Sequence, residues 1–425
     1  MNIVKGKIFF NRIVTGFAFN LGGQLLGSWL DSDYFNAIFC TIGWFYIIDG
    51  IMGLRHVMRN PFPKGYRALL SFYMLLVFIM IIRGYMIDYQ YPWVSTVGMI
   101  NAHLFVPTYI WCYFMPVIAF IPSEYYSFDK LIRYSIVASL LYIVVSGFNF
   151  QTIMLESANA AISMRMEDET GILKLMELGV AFAFIVLCEK YVSKKTLIIN
   201  IICLVFALSI AVLCARRGVI VIILSYFIIF TWSRLNTGKL TTIVGFVIAA
   251  IALLVVFRNA FSNSHIFDFL MERGVEDTRE GVDAALYDQM NTWEMIFGKG
   301  LNGRYYYPMG GLTEELFKGW RYSIETGFNN LVLKGGYALA ITYVLLLLIP
   351  GFKGVFKSNN SLCKVGGAYI LLSVAELYPF GILSFNIKFL IIWMCIVLCM
   401  SPKTRQLSDT EIYDRYFKSY SKIRR

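Results

Sequence analysis

The chain has 425 residues, 58% of them hydrophobic and only 15% charged, with a mean hydropathy of +0.63. A soluble protein carries roughly 25% charged residues, so a soluble enzyme or binding module is excluded and a polytopic membrane protein is expected. The formal net charge of +11 does not indicate nucleic acid, because the positive residues sit in short loops and in the tail, where Lys and Arg set topology and meet anionic lipid.

A membrane-spanning helix needs about 20 mostly apolar residues. Such stretches fall near 8–29, 34–53, 68–88, 99–121, 131–149, 172–188, 197–214, 218–233, 240–257, 327–349, 365–379 and 383–400. The expected fold is therefore an all-α, polytopic transmembrane helix bundle of about 12 spans. The first stretch is the least apolar, because Asn11, Arg12, Asn20 and Gln24 interrupt it. Lys5 and Lys7 precede it without a cleavage signal, so it is expected to be retained. The loops bearing Arg55, Arg59, Lys64 and Arg67, then Lys130 and Arg133, then Lys190, Lys194 and Lys195, then Arg234 and Lys239, then Lys353, Lys357 and Lys364 alternate along the chain. They share one side with the basic tail, and the positive-inside rule makes that side the cytoplasm, with both termini there. The other loops, with Asp31, Asp33, Asp88 and the run from Glu156 to Glu169, face outward. The chain then divides into an N-terminal part of the bundle (1–257), one large extracytoplasmic loop (258–325), C-terminal spans (326–400) and a cytoplasmic tail (401–425), expected as a short amphipathic helix on lipid.

Ionisable residues inside spans are costly and mark function by default. Arg83 lies within the span 68–88, near its outward end, where snorkelling to the headgroups is the competing account. Arg216 and Arg217 precede Gly218 at an outward-facing corner, against the positive-inside trend. Two adjacent guanidiniums there suit bidentate contact with phosphate, and Gly218 permits close approach. Glu325 stands at the lip of the span 327–349, where the macrodipole would also favour an ordinary N-terminal carboxylate. In the large loop, Arg273 and Arg279 lie among carboxylates, as either a solvated helix end or a sugar- or phosphate-binding surface. Residues 282–297 carry apolar positions at helical spacing and predict an amphipathic helix on the membrane or on the bundle.

Gly298-Lys299-Gly300-Leu301-Asn302-Gly303 spells G-x-G-x-x-G. A dinucleotide site needs a preceding strand and a βαβ unit; here a helical pattern precedes, and that site is rejected. A tight glycine turn presenting Arg304, Tyr305 and Tyr306 is expected instead, with ring faces suited to stacking on sugars. The chain has three histidines and no HExxH motif. Cys395 and Cys399 have no His or carboxylate beside them, so no metal site is expected there.

Three stretches carry a likeness by their order and spacing. They are Arg216-Arg217-Gly218, then Phe297 through Gly303, then Glu325-Thr326-Gly327-Phe328-Asn329-Asn330-Leu331 leading to Lys334-Gly335-Gly336. Together they resemble the O-antigen polymerase and O-antigen ligase superfamily, Wzy-type polymerases among them. The resemblance covers about 200–350 by motif and the rest by architecture alone. It implies a multi-pass glycosyltransferase of the bacterial inner membrane that needs no metal or cofactor. Its donor would be an oligosaccharide repeat unit on undecaprenyl pyrophosphate, polymerised at the outer face into O-antigen (on lipopolysaccharide), capsule or exopolysaccharide. Membrane lipids, a chain-length regulator and a flippase are the implied partners, and nucleic acid is not. Ligases carry a histidine where this chain has Glu325, which favours a polymerase over transfer to lipid A core. A flippase or transporter of the same lipid-linked sugars would place charges deep in both halves, whereas here they gather at the outward face. In this chemistry Arg216 and Arg217 would stabilise the pyrophosphate leaving group, with help from Arg83. Arg273, Arg279, Arg304, Tyr305 and Tyr306 would contact leaving group or sugar, and Glu325 would be the general base.

Overall fold

The structure, a computed structural model, describes residues 2–30, 33–87, 104–151, 179–213, 216–235, 280–308, 319–378 and 381–418. The predicted span 240–257, Arg273 and Arg279 lie outside the described residues. In chain order the helices are α1 (Ile3–Trp29), α2 (Asp33–Leu54), α3 (Lys64–Ile87), α4 (Asp129–Phe148), the short α5 (Ala183–Leu187), α6 (Lys194–Leu213), α7 (Arg217–Leu235), the short pair α8 (Glu280–Asp288) and α9 (Thr292–Phe297), α10 (Gly327–Phe356), α11 (Ser361–Glu376) and α12 (Ile387–Met400). Among the described residues, α2, α3, α4, α6 and α10 are long and apolar enough to cross a membrane. The only strands described are the two of one small β pair. This is an all-α membrane bundle.

Close packing without a hydrophobic drive requires small residues at helix contacts, and α1 and α2 supply them. A Cβ on Gly16 would lie 2.4 Å from the Gly43 carbonyl, and one on Gly50 would lie 2.7 Å from the Phe9 carbonyl. The centre of the bundle is α12, which is apolar except for Lys388 and is buried at every other residue. A helix that is hydrophobic all round belongs in an interior. Around it lie α10, α11 and a 3₁₀ segment, Trp111–Phe120.

That 3₁₀ segment corrects the predicted span 99–121. Pro116 sits inside it, and a proline there removes a donor and clashes with the preceding turn, so the chain tightens instead of running on as an α-helix. The predicted amphipathic helix 282–297 is likewise two helices, α8 and α9. The side chain of Asn291 accepts from the Glu294 N–H at 3.0 Å while the Glu294 carboxylate accepts from the Asn291 N–H at 3.0 Å. This capping box starts a new helix in mid-pattern.

α3 ends and α10 begins at one end of the bundle, here the upper end; Arg234 and Ser361 mark the lower end. At the lower end the tail folds back onto protein, which corrects the expected lipid contact for its described part, 402–418. Asn360 donates to the Thr404 carbonyl at 2.8 Å, the ring of Phe417 stacks on Phe128 at 4.7 Å, and the Phe128 N–H donates to the Tyr416 carbonyl at 2.9 Å. Asp409 is the clamp: it accepts from the Tyr191 hydroxyl at 2.5 Å, the Ser361 N–H at 2.7 Å and Lys190 at 3.2 Å. Burial pushes this carboxyl up, but those hydrogen bonds outweigh it and hold it below the usual carboxylate range. A lowered folded value contributes stability above the unfolded value, about 3.9, that is lost as pH falls below it. The Asp409→Asn protein is therefore expected to lose its tail to protease at neutral pH, whereas the parent loses it only below about pH 4. Equal protection of the two at pH 7 would show that Asp409 does not hold the tail.

Candidate functional site

The site begins with a break in α10. Gly336 has φ +67°, a backbone state that favours glycine, and it interrupts the helix near its upper end. The interruption leaves the carbonyls of Leu333 and Lys334 without their helical donors. The glycine loop 298–303 supplies replacements: the Lys299 N–H donates to the Leu333 carbonyl at 2.8 Å and the Gly300 N–H to the Lys334 carbonyl at 2.9 Å. On the loop's other side, the Leu301 N–H donates to the Met80 carbonyl of α3 at 2.9 Å. Gly300 (φ +86°) meets Gly84 so closely that a Cβ on Gly300 would lie 2.4 Å from the Gly84 nitrogen.

The side chain of Lys334 completes the stitch by donating to the Gly303 carbonyl at 3.1 Å. Lys334 is 7% exposed. Asn302, also buried, accepts from the Tyr109 hydroxyl at 2.5 Å. With Gly298 and Gly303 donating to the Glu294 and Gly300 carbonyls, five amides of the loop are already satisfied. It therefore cannot cradle a phosphate as a Gly-rich nucleotide loop does. It is a plug set between α3 and α10, and it fixes the start of the β pair.

In that pair, strand β1 (Tyr305–Tyr306) runs antiparallel to β2 (Trp320–Arg321), with Tyr305 opposite Arg321 and Tyr306 opposite Trp320. Opposed residues share a face. The inner face holds Tyr305, Tyr307 and Arg321, with the Arg321 guanidinium 5.4 Å from the Tyr307 ring centre. Tyr305 is fully buried, so its ring is not open to a ligand as the sequence expectation required. Burial pushes the Tyr305 phenol up, against the pull of the Arg321 guanidinium. The other face carries Arg304, Tyr306, Trp320 and Tyr322. Arg304 lies over the Trp320 ring at 4.5 Å and donates to the Tyr322 hydroxyl at 3.2 Å, and Tyr306 is exposed. Gln289 of the turn after α8 holds the pair in place: its amide donates to the Tyr306 carbonyl at 2.9 Å and accepts from the Tyr306 N–H at 2.7 Å.

The remaining sequence-predicted residues lie around this plug. Arg83 is half-buried in α3, one residue before Gly84. Glu325 is exposed, two residues before α10 begins. Arg216 lies at the corner between α6 and α7, its N–H donating to the Ala211 carbonyl at 2.8 Å; its Nε is buried and finds no hydrogen-bond partner among the described residues. Arg217 is the first residue of α7. A small cleft of about 230 Å³, lined by Asn20, Gln24, Trp44, Trp111 and Phe385 among others, lies apart from these residues.

Sequence reasoning missed several residues that the structure brings into play. Trp320, Arg321 and Tyr322 carried no motif and enter through strand pairing. Lys334 was noted only as part of a motif. Glu376 and Lys388 form an ion pair at 2.5 Å between the upper ends of α11 and α12, and Glu376 is 4% exposed. The rule that singled out Arg83, that ionisable residues inside apolar spans mark function, would have found this pair too.

No family model matches the chain, and neither a curated protein nor a solved structure matches it.

The plug makes a testable demand. Alanine at Gly300 costs about 1–2 kcal/mol for the left-handed backbone alone, before the contact with Gly84. The Gly300→Ala protein is expected to show a lower unfolding midpoint and faster cleavage within 298–308, with Lys334→Met acting in the same direction. A parent-like midpoint for Gly300→Ala would mean the loop does not dock through that glycine.

Proposed function

We propose that this chain is a glycosyltransferase of about 12 spans, with both termini in the cytoplasm of a bacterium and the upper end of the bundle facing outward. It polymerises undecaprenyl-pyrophosphate-linked oligosaccharide repeat units without a metal or cofactor, in concert with a flippase and a chain-length regulator. The observation that carries the reading is the face of Arg304, Tyr306, Trp320 and Tyr322, held rigidly at one end of a membrane bundle by the stitched glycine loop. Cation and rings together fit a saccharide joined to an anionic lipid head, because rings pack on the apolar faces of sugars while guanidinium meets phosphate. Among the described residues, Arg83, Arg216, Arg304 and Glu325 also lie at this one end, which supports chemistry over translocation.

In this reaction the barrier lies in expelling pyrophosphate from an anomeric carbon. Fixed guanidiniums lower it because their field is already oriented towards the charge that develops. Arg216 and Arg217 serve the leaving group, Arg83 supports them, and Arg304 binds the glycan, with Arg273 and Arg279 of the large loop assigned the same task. Glu325 is the exposed carboxylate at the seam, and the sequence offers it as the proton acceptor.

Purified protein in liposomes with lipid-linked repeat units is expected to form new glycosidic bonds and a ladder of products. Movement of the lipid across the bilayer without bond formation would overturn the reading. Arg216→Ala is expected to lower the rate about 10²–10³-fold, the usual cost of one charge-stabilising donor, in protein that inserts normally. Full polymerisation by Glu325→Gln would remove Glu325 from the mechanism.

A further inference from the structure

A second polar site lies at the upper end of α11. Glu376 ends α11, and its buried Oε2 accepts from Lys388 of α12 at 2.5 Å. Its other oxygen, Oε1, is buried and has no hydrogen-bond partner among the described residues. A buried acceptor left unmade costs about 1–3 kcal/mol, and more for a charged group.

Register shows what lies nearby. α7 and α11 pack against each other, and the rings of Tyr226 and Tyr369 stack between them at 5.9 Å. Their lower ends meet through one turn: Arg234 of α7 pairs with Glu189 at 2.5 Å, and the hydroxyl of Tyr191 in that same turn accepts from the Leu362 N–H of α11 at 3.1 Å. The two helices therefore run antiparallel. Glu376 is roughly two turns above Tyr369, and Val219 is roughly two turns above Tyr226, about 10 Å along each axis. Glu376 thus stands level with the first turn of α7 along this seam. An orphan buried acceptor, Glu376 Oε1, and an orphan buried donor, Arg216 Nε, occur at one level of one seam.

The same seam adjoins the start of α10. The Phe328 N–H donates to the Leu377 carbonyl at 3.0 Å, and a Cβ on Gly327 would lie 2.1 Å from the Gly381 carbonyl. The turn that carries Glu376 therefore holds the helix next to which Glu325 stands.

We propose that Glu376, rather than exposed Glu325, is the carboxylate of the polymerisation, with Lys388 as its positioning residue and Arg216 as the facing anion site. This rests on the function proposed above. The proton of the acceptor sugar's hydroxyl passes to Glu376 Oε1, directly or through one water. The oxygen freed of it bonds to the anomeric carbon of the donor. The bond from that carbon to the pyrophosphate oxygen breaks, and its electron pair leaves with undecaprenyl pyrophosphate, whose new charge faces Arg216. Glu376 then returns the proton to solvent. Lys388 holds one carboxylate oxygen and so aims the other. Burial suits the task, because bulk water at this oxygen would hydrolyse the donor instead of extending the glycan.

The test compares Glu376→Gln, Glu376→Asp and the double variant Glu376→Gln/Lys388→Gln in liposomes with lipid-linked repeat units. Unfolding midpoint and donor binding are measured alongside. Glu376→Gln is expected to lose about 10²–10⁴-fold in kcat with donor KM little changed, and Glu376→Asp to recover part of the rate. The double variant leaves no unpaired charge, so it is expected to fold like the parent yet stay as slow as Glu376→Gln. Restored activity in the double variant would show that the pair only holds the helices together, and would overturn the proposal. So would full activity of Glu376→Gln in a parent that polymerises. If the parent itself forms no glycosidic bond, the polymerase reading fails, and the role of Glu376 falls with it.

Discussion

The upper end of this protein depends on one exchange of hydrogen bonds. α10 breaks at Gly336, and two of its carbonyls turn to the amides of a loop that comes from the polar segment of the chain. An unmade backbone bond inside a membrane protein is expensive, so a helix break persists only where other groups satisfy it. Here the break and the loop satisfy each other. Lys334 acts twice, through its carbonyl to Gly300 and through its ammonium to Gly303. Gly84 and Gly300 let α3 and the loop approach to a distance that any side chain would prevent.

That exchange determines the rest of the site. The end of the plug fixes where Arg304 leaves the bundle, and strand pairing then decides which rings face outward. Because residues alternate between faces, one step along the strand separates buried Tyr305 from exposed Tyr306. The outward face is thus set by register, and register is set by a loop anchored among helices. The tail is held by the same logic at the lower end, where Asp409 and Asn360 gather main-chain groups and rings that would otherwise be free.

The second feature is the treatment of charge. Lys334 and Glu376 are ionisable groups in an apolar interior, and each is tied to a named partner, Glu376 to half-buried Lys388. A charge buried this way holds its shape well, because its partner directions are few. That rigidity is what a site needs if it is to meet developing charge without first rearranging.

Apolar run length alone determined that this is a helical membrane protein, because a lipid interior admits few alternatives to helices of about 20 residues. The sequence also placed α2, α3, α4, α6 and α7 and the start of α10 close to their observed limits, and it marked Arg83, Arg216, Glu325 and the glycine turn as unusual. It did not show the 3₁₀ segment at Pro116, the break between α8 and α9, or the return of the tail, each of which turns on local hydrogen bonding that hydropathy does not register. Nor did it show that the glycine turn is buried, or that Tyr305 faces inward. The contact of α7 with α11, which sets Glu376 level with the arginine corner, was likewise beyond it. Those depend on which distant segments meet, and residues separated by most of the chain become neighbours only when the helices pack.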